Sequence, residues 1–230
     1  MSLYFALMLG SFFGPFFLSF DKKIQFYTYY KFLVPAILIV AIPFIIWDEI
    51  FTVWGLWGFN AEHLNGFFIG SLPIEEICFF FVVPYACVFI YEVLQGYFPL
   101  LNSEKFARYF SIVFLFLALS LAIFYSDRMY TLVACSMAAI LTIFVHFVYR
   151  LKWFSRFIIT FIVVQVPFFF VNGVLTGMST ENPIVWYNPS EMINVRIVTI
   201  PVEDIFYNYA MLILVFVVYN LRKKRKGLAV

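Results

Sequence analysis

Apolar residues run along this chain in long unbroken blocks, separated by short polar or charged stretches, with no alternation of the kind a half-buried strand shows. A helix that crosses a bilayer needs about 20 mostly apolar residues. The blocks predict about seven spanning helices, over Leu3–Phe20, Phe32–Trp47, Leu72–Leu94, Phe106–Tyr125, Tyr130–Tyr149, Phe157–Leu175 and Thr199–Leu221. The second block is the shortest and carries Pro35 and Pro43.

The basic residues test this partition independently. Lys and Arg collect in loops on the cytoplasmic side of a membrane protein. Lys22, Lys23 and Lys31 follow the first block, and Lys105 and Arg108 follow the third. Arg150, Lys152 and Arg156 follow the fifth, and Arg222 to Lys226 follow the seventh. Thirteen of the fifteen basic residues therefore fall on one side, with only Arg128 and Arg196 opposite. This predicts an N-terminus outside and a C-terminus inside. Ten of the thirteen acidic residues lie on or near the expected outer side. Acidic residues do little to set topology, so their excess points to work done at the outer helix ends.

Composition adds exclusions. The chain is 64% hydrophobic and 12% charged, whereas soluble domains run nearer half apolar and a quarter charged. No sizeable soluble domain fits that balance. Aromatic residues make up 23%, with 33 Phe. Interfacial belts seldom need so many, and an aromatic-lined interior is expected. Cys78, Cys87 and Cys135 sit unpaired in apolar blocks, and His63 and His146 are the only histidines. No metal site is predicted. No glycine-rich phosphate loop occurs, so no nucleotide or flavin cofactor is expected either. The net charge of +2 gives no basis for a nucleic-acid partner. The N-terminus lacks a charged leader region, so the first block is expected to be a retained helix.

A shift of 128 residues aligns two segments without a gap. Phe59-Asn60 falls on Tyr187-Asn188, and Ser71-Leu-Pro-Ile-Glu-Glu-Ile77 on Thr199-Ile-Pro-Val-Glu-Asp-Ile205. Phe79, Phe81 and Tyr91 then fall on Tyr207, Tyr209 and Tyr219. The repeat predicts an all-α membrane protein of two three-helix units, residues 1–98 and 129–230, joined by a connecting helix within 99–128. Four spans separate equivalent helices. Both units then enter the membrane in the same direction and are related by an axis along its normal.

Each repeat opens its last helix with a Pro-x-acid-acid turn, Glu75-Glu76 and Glu203-Asp204. Proline is at home at the first helical position, where its missing N–H has no intrahelical partner. Carboxylates there meet the positive end of the helix dipole. Two such pairs entering strongly apolar helices at equal depth point further, because ionisable residues within spans usually mark a reaction or transport path. Neighbouring helical residues point about 100° apart. At most one acid of each pair can face the bundle centre, and the other supports it. Carboxyl groups crowded into an apolar site resist ionising, and aromatic faces stabilise a cation formed nearby. Phe79, Phe80, Phe81, Tyr85, Tyr207, Tyr209 and Trp57 or Trp186 are expected to contribute such faces. Together these features suit proton-initiated chemistry on an apolar polyene.

The motifs carry a resemblance that covers nearly the whole chain. They are Trp47-Asp48-Glu49, Trp57-Gly-Phe-Asn60 and the run Leu72–Tyr85, then Asn172-Gly173, Asn182–Asn188 and Ile200–Tyr207. In these the chain resembles lycopene cyclases of the heterodimeric or CarR type, in the single-chain prokaryotic form that holds both units. The resemblance implies a redox-neutral isomerisation of linear carotenoid ends, to β-rings above all, without flavin or metal. It implies that Glu75, Glu76, Glu203 and Asp204 are catalytic. Asp48, Trp57, Asn60, Phe79, Tyr85, Asn172, Trp186, Asn188 and Tyr207 are the expected substrate contacts. The implied partners are lycopene and membrane lipid, with the substrate entering sideways from the bilayer of a prokaryotic cell. Two other readings compete, a small transporter and a non-catalytic carotenoid-binding protein. A transporter should show polar residues deep in several helices, and few appear beyond Gln165. A lysine deep in the last helix, needed by a retinal protein, is absent.

Overall fold

In the lipid interior every backbone N–H and C=O needs an internal partner, which leaves helices as the natural state of apolar blocks. The computed structural model, which describes residues 1–227, accordingly holds seven helices. They are α1 (Leu3–Leu18), α2 (Tyr30–Val53), α3 (Ile74–Tyr97), α4 (Glu104–Phe124), α5 (Met129–Thr142), α6 (Phe154–Leu175) and α7 (Glu203–Arg225). A π-helical turn, Ile143–Val148, extends α5. All but α1 are long and apolar enough to cross a membrane, and α1 is an apolar helix of 16 residues. The protein is thus an integral membrane protein. The last three residues of the expected second unit, 228–230, lie outside the described residues.

Helix α2 runs well past the expected Phe32–Trp47 and carries Asp48 inside it. Pro15, Pro35, Pro43, Pro84 and Pro167 all lie within continuous helices. The helices are therefore not broken there. Proline is tolerated in spanning helices because neighbouring groups satisfy the freed carbonyl.

Three two-stranded antiparallel ribbons gather at one end of the bundle. Their strands are β1 (Trp57–Phe59), β2 (Phe68–Ile69), β3 (Leu72–Pro73), β4 (Val185–Tyr187), β5 (Arg196–Ile197) and β6 (Ile200–Pro201). β2 pairs with β3 and β5 with β6, and these two hairpins are exact equivalents under the 128-residue shift. Each is tied to its helix by one more bond, Ile74 N–H to the Phe67 carbonyl (2.9 Å) and Val202 N–H to the Val195 carbonyl (3.0 Å). The hairpins correct the expected placement of proline. Pro73 is the N-cap of α3 in extended conformation, and Pro201 stands in β6 two residues ahead of Glu203. Both therefore sit at strand ends, where a missing N–H costs nothing.

The third ribbon joins the two units. β1 pairs with β4 so that Gly58 faces Trp186, its own repeat equivalent. Asn60 N–H meets the Ile184 carbonyl and Asn188 N–H meets the Leu56 carbonyl, both at 2.8 Å, and these too are equivalent bonds. The approximate two-fold axis therefore passes through the Gly58–Trp186 pair. A side chain at Gly58 would put its Cβ 2.4 Å from the Trp186 ring, so the crossing requires glycine.

Helices follow the same axis. Within the units α1 packs on α3, and α5 on α7; between them α2 packs on α7, and α6 on α3. α4 rests on α5 and α6 outside this arrangement, as a connector does. The abundant aromatics divide among three places. Some fill the core, as where Phe114 meets Phe206 and Tyr209 with centroids 5.0 and 4.4 Å apart. Others, including Phe17, Phe116 and Phe124, face outward. The rest surround the acids.

The far end of the bundle holds a feature with no counterpart in the repeat. Lys223 Nζ lies 2.8 Å from Glu92 Oε1, which also accepts from the Tyr219 hydroxyl at 2.6 Å, and both ionic side chains are buried. Removing one member of a buried ion pair strands the other, at a cost of about 3–5 kcal/mol, while replacing both with apolar groups is often neutral. Glu92→Leu is expected to lower the thermal midpoint in detergent, and Glu92→Leu with Lys223→Met to restore most of it. Equal midpoints for all three proteins would show that the pair is not felt.

Candidate active site

The hairpins place the acidic turns. Glu75 and Glu203, first of each pair, turn toward the segment that precedes their own hairpin. Glu75 Oε1 accepts Asn65 N–H (2.7 Å) and the Ser2 hydroxyl (2.7 Å). Glu203 Oε1 accepts Ile193 N–H (2.8 Å) and the Thr131 hydroxyl (2.7 Å). Asn65 and Ile193 are repeat equivalents, so the same loop anchor is built twice. Both carboxyl groups are fully buried.

Glu76 and Asp204, rotated by about 100°, face the interior together. With Asp48 they line one cavity of about 50 Å³ between the two units. Asp204 is held by three donors: the Tyr130 hydroxyl at 2.5 Å, Asn172 Nδ2 at 2.6 Å and the Tyr187 hydroxyl at 2.9 Å. Burial and the adjacent Asp204 push the Tyr187 hydroxyl pKa well up, so it remains a donor. Glu76 accepts one bond, from the Tyr4 hydroxyl to Oε2 at 2.5 Å. Asp48 Oδ1 accepts from Trp57 Nε1 at 2.7 Å, and its Oδ2 is buried without a partner among the described residues.

Aromatic faces wall the cavity. Tyr207 lies 4.7 Å from Trp47 and 6.2 Å from Trp57, measured between centroids, and Trp57 lies 5.0 Å from Tyr130. Phe79 and Phe168 close the side toward the membrane interior. A positive charge formed here would meet ring faces on several sides and carboxylates beside it.

Beyond Phe79, Phe168, Asn172 and Asn208 the cavity adjoins an apolar groove of about 200 Å³ between α1, α3 and α6. A cavity lined by carboxyl groups thus adjoins an apolar groove. The family model described as lycopene cyclase matches residues 1–94 and again residues 127–221, one match for each unit. The chain belongs to the lycopene cyclase family. Carotenoid cyclisation is the activity that membership supports, with a lipophilic carotenoid as substrate. No curated protein and no solved structure matches the chain.

Seen as a lycopene cyclase, the chain sorts its expected site residues into two sets. Glu76, Asp204, Asp48, Trp57, Phe79, Asn172 and Tyr207 meet at the cavity. Glu75 and Glu203 lie behind it on the loop anchors. Asn60 and Asn188 cap short 3₁₀ turns by accepting from Glu62 N–H and Ser190 N–H. Trp186 lies across Gly58 and is 43% exposed. Tyr85 bonds the Tyr30 hydroxyl at 2.8 Å in a separate aromatic cluster with Phe12 and Phe26.

The structure also brings in residues that pattern alone did not single out, above all Tyr4, Tyr130, Tyr187, Phe168 and Asn208. Tyr4 and Tyr130 play matching parts on Glu76 and Asp204 but stand 126 residues apart, so the 128-residue shift does not align them. A tyrosine near the start of an otherwise apolar helix was their only signal. Tyr187 stood in the repeat itself, opposite Phe59.

Proposed function

We propose that this protein closes β-rings on the linear ends of lycopene by proton transfer alone, without flavin or metal. The observation that carries this is the meeting of Glu76 and Asp204, from equivalent turns of the two units, in one aromatic-walled cavity beside an apolar groove. Glu76 delivers the proton. Among the described residues its hydrogen-bond donor, Tyr4, meets Oε2, which leaves Oε1 to carry a transferable hydrogen. Protonation of the terminal double bond gives a tertiary cation. The neighbouring double bond attacks it, forming the ring C–C bond and moving the charge into the ring. Asp204, an acceptor for three donors, is suited to remain an anion beside that charge and to take the proton lost from the adjacent ring carbon. One proton enters and one leaves, so the product is an isomer of the substrate. Asp48 and the rings of Trp57 and Tyr207 hold the end group and shield the cation from water.

This reading places the cavity toward the outer face of a prokaryotic cell membrane, with the N-terminus outside and the basic C-terminal end in the cytoplasm. It rests on the distribution of Lys and Arg. Expression in a lycopene-accumulating bacterium, with pigments separated by chromatography, tests the activity. Cyclic carotenoids with β-rings are expected. Unchanged lycopene in cells whose membranes hold the protein would sink the cyclase reading.

A further inference from the structure

The two units are alike around the acids but not along the helices below them. The groove beside the cavity follows α3 from Phe79 through Val83, Ala86 and Cys87 to Ile90. The eleven helical steps from Phe79 to Ile90 rise about 17 Å, roughly half the ~30 Å hydrocarbon thickness. Its opposite walls are Pro15 on α1 and Val164 to Val171 on α6. Polar groups occur at Ser11 and, where the groove meets the cavity, at Asn172 and Asn208.

The two-fold axis generates a second face of the same kind between α5, α7 and α2. There Met211 replaces Val83, Leu214 replaces Ala86, Val215 replaces Cys87 and Phe80 replaces Asn208. On α2, Val40, Pro43 and Phe44 stand where α6 has Val164, Pro167 and Phe168, so the two faces differ on α3 and α7 rather than on these helices. Met211, Val215, Phe80, Ala36 and Val40 are all buried, at 4% exposure or less. Phe44, in the place of Phe168, has its ring centroid 5.3 Å from that of Trp47 and 5.4 Å from that of Tyr207 and closes the upper end. Small residues on α3 leave a slot, and large residues on α7 fill its twin.

We infer that the groove between α1, α3 and α6 is the single port by which an extended apolar polyene chain reaches the cavity, so that each visit closes one ring. The inference rests on the cyclase reading and extends it. The occupant is fixed by continuity and chemistry, for the groove is apolar along its length and meets the acids only at its end. A chain lying in it presents one end to Glu76 while its other half extends into lipid. With the twin face filled, the second end has no route of its own. A two-ring product then requires release, reversal and a second entry by the same port, and each passage is a separate isomerisation with one proton in and one out.

The test uses membranes holding the full protein, supplied with excess lycopene. A free one-ring carotenoid is expected first, with any two-ring product following after a lag. Two-ring product from the earliest times, with no free one-ring species, overturns the inference. Ala86→Trp obstructs the slot outside the cavity, and Leu214→Trp makes the symmetry-matched change on the filled face. Overpacking of 1–3 kcal/mol corresponds to about five- to 150-fold. A loss of that order is expected for Ala86→Trp, and little change for Leu214→Trp, per protein present in the membrane. Equal activity in both variants would mean that the groove holds only a lipid acyl chain, and the port is then elsewhere. Wild-type membranes that form no ring at all would instead remove the cyclase reading, and the port with it.

Discussion

Glu76→Gln and Asp204→Asn should each leave lycopene linear in cells that hold normal amounts of the protein in their membranes. Both substitutions keep size and hydrogen-bonding shape while removing the ability to carry or accept the proton. General acid–base groups contribute about 10²–10⁴-fold, and the tertiary cation cannot form without a donor, so the loss should reach the upper part of that range. The two variants should also fail differently. In Glu76→Gln the Tyr4 hydroxyl still meets a carbonyl-type oxygen, and the fold is untouched. In Asp204→Asn an amide N–H₂ must face one of three donors, Tyr130, Asn172 or Tyr187. Some loss of thermal stability is expected there as well. Pigment chromatography beside a membrane immunoblot reads both. Cyclisation within a few-fold of wild type in either variant would remove that residue from the chemistry.

The neighbouring acids should behave in the opposite manner. Glu203→Ala takes away the acceptor shared by Ile193 N–H and the Thr131 hydroxyl, and Glu75→Ala does the same to Asn65 N–H and the Ser2 hydroxyl. Hydrogen bonds to charged groups contribute about 1.5–3 kcal/mol each. A loss near 3 kcal/mol corresponds to a fall of about 6–12 °C in the melting midpoint of a chain this size. Activity should fall only as far as the folded fraction falls. Glutamine still offers an oxygen to both donors, so Glu203→Gln and Glu75→Gln should retain most stability and most cyclisation. A Gln variant that melts like wild type yet leaves lycopene linear would give the first acid a chemical part.

These opposed expectations arise because adjacent residues on one helix turn look in different directions. The Pro-x-acid-acid repeat announced two pairs, and helical geometry allowed one member of each to face inward. Which member does so was settled by the hairpins. β2–β3 and β5–β6 fix the rotation of α3 and α7 and hang a backbone N–H, from Asn65 or Ile193, over the first acid of each pair. That N–H belongs to a residue ten positions upstream whose side-chain type carries no signal.

By itself, the sequence determined that this is a helical membrane protein, roughly where its helices run, and that two units repeat in parallel. These follow from local quantities: block length against bilayer thickness, a proline with its acids, a register of 128 residues. It also pointed to the family through motifs that lie near the cavity. Only the tertiary structure decided which residues share that cavity. Tyr4 reaches Glu76 across 72 positions and Tyr130 reaches Asp204 across 74, distances in sequence over which composition and periodicity say nothing. It also decided that Asn60, Asn188 and Trp186 belong to the seam between the units, and that one groove is open while its twin is filled. The reason is physical: a side chain's partners depend on helix rotation and on the volumes opposite it, and both are set by packing rather than by local pattern.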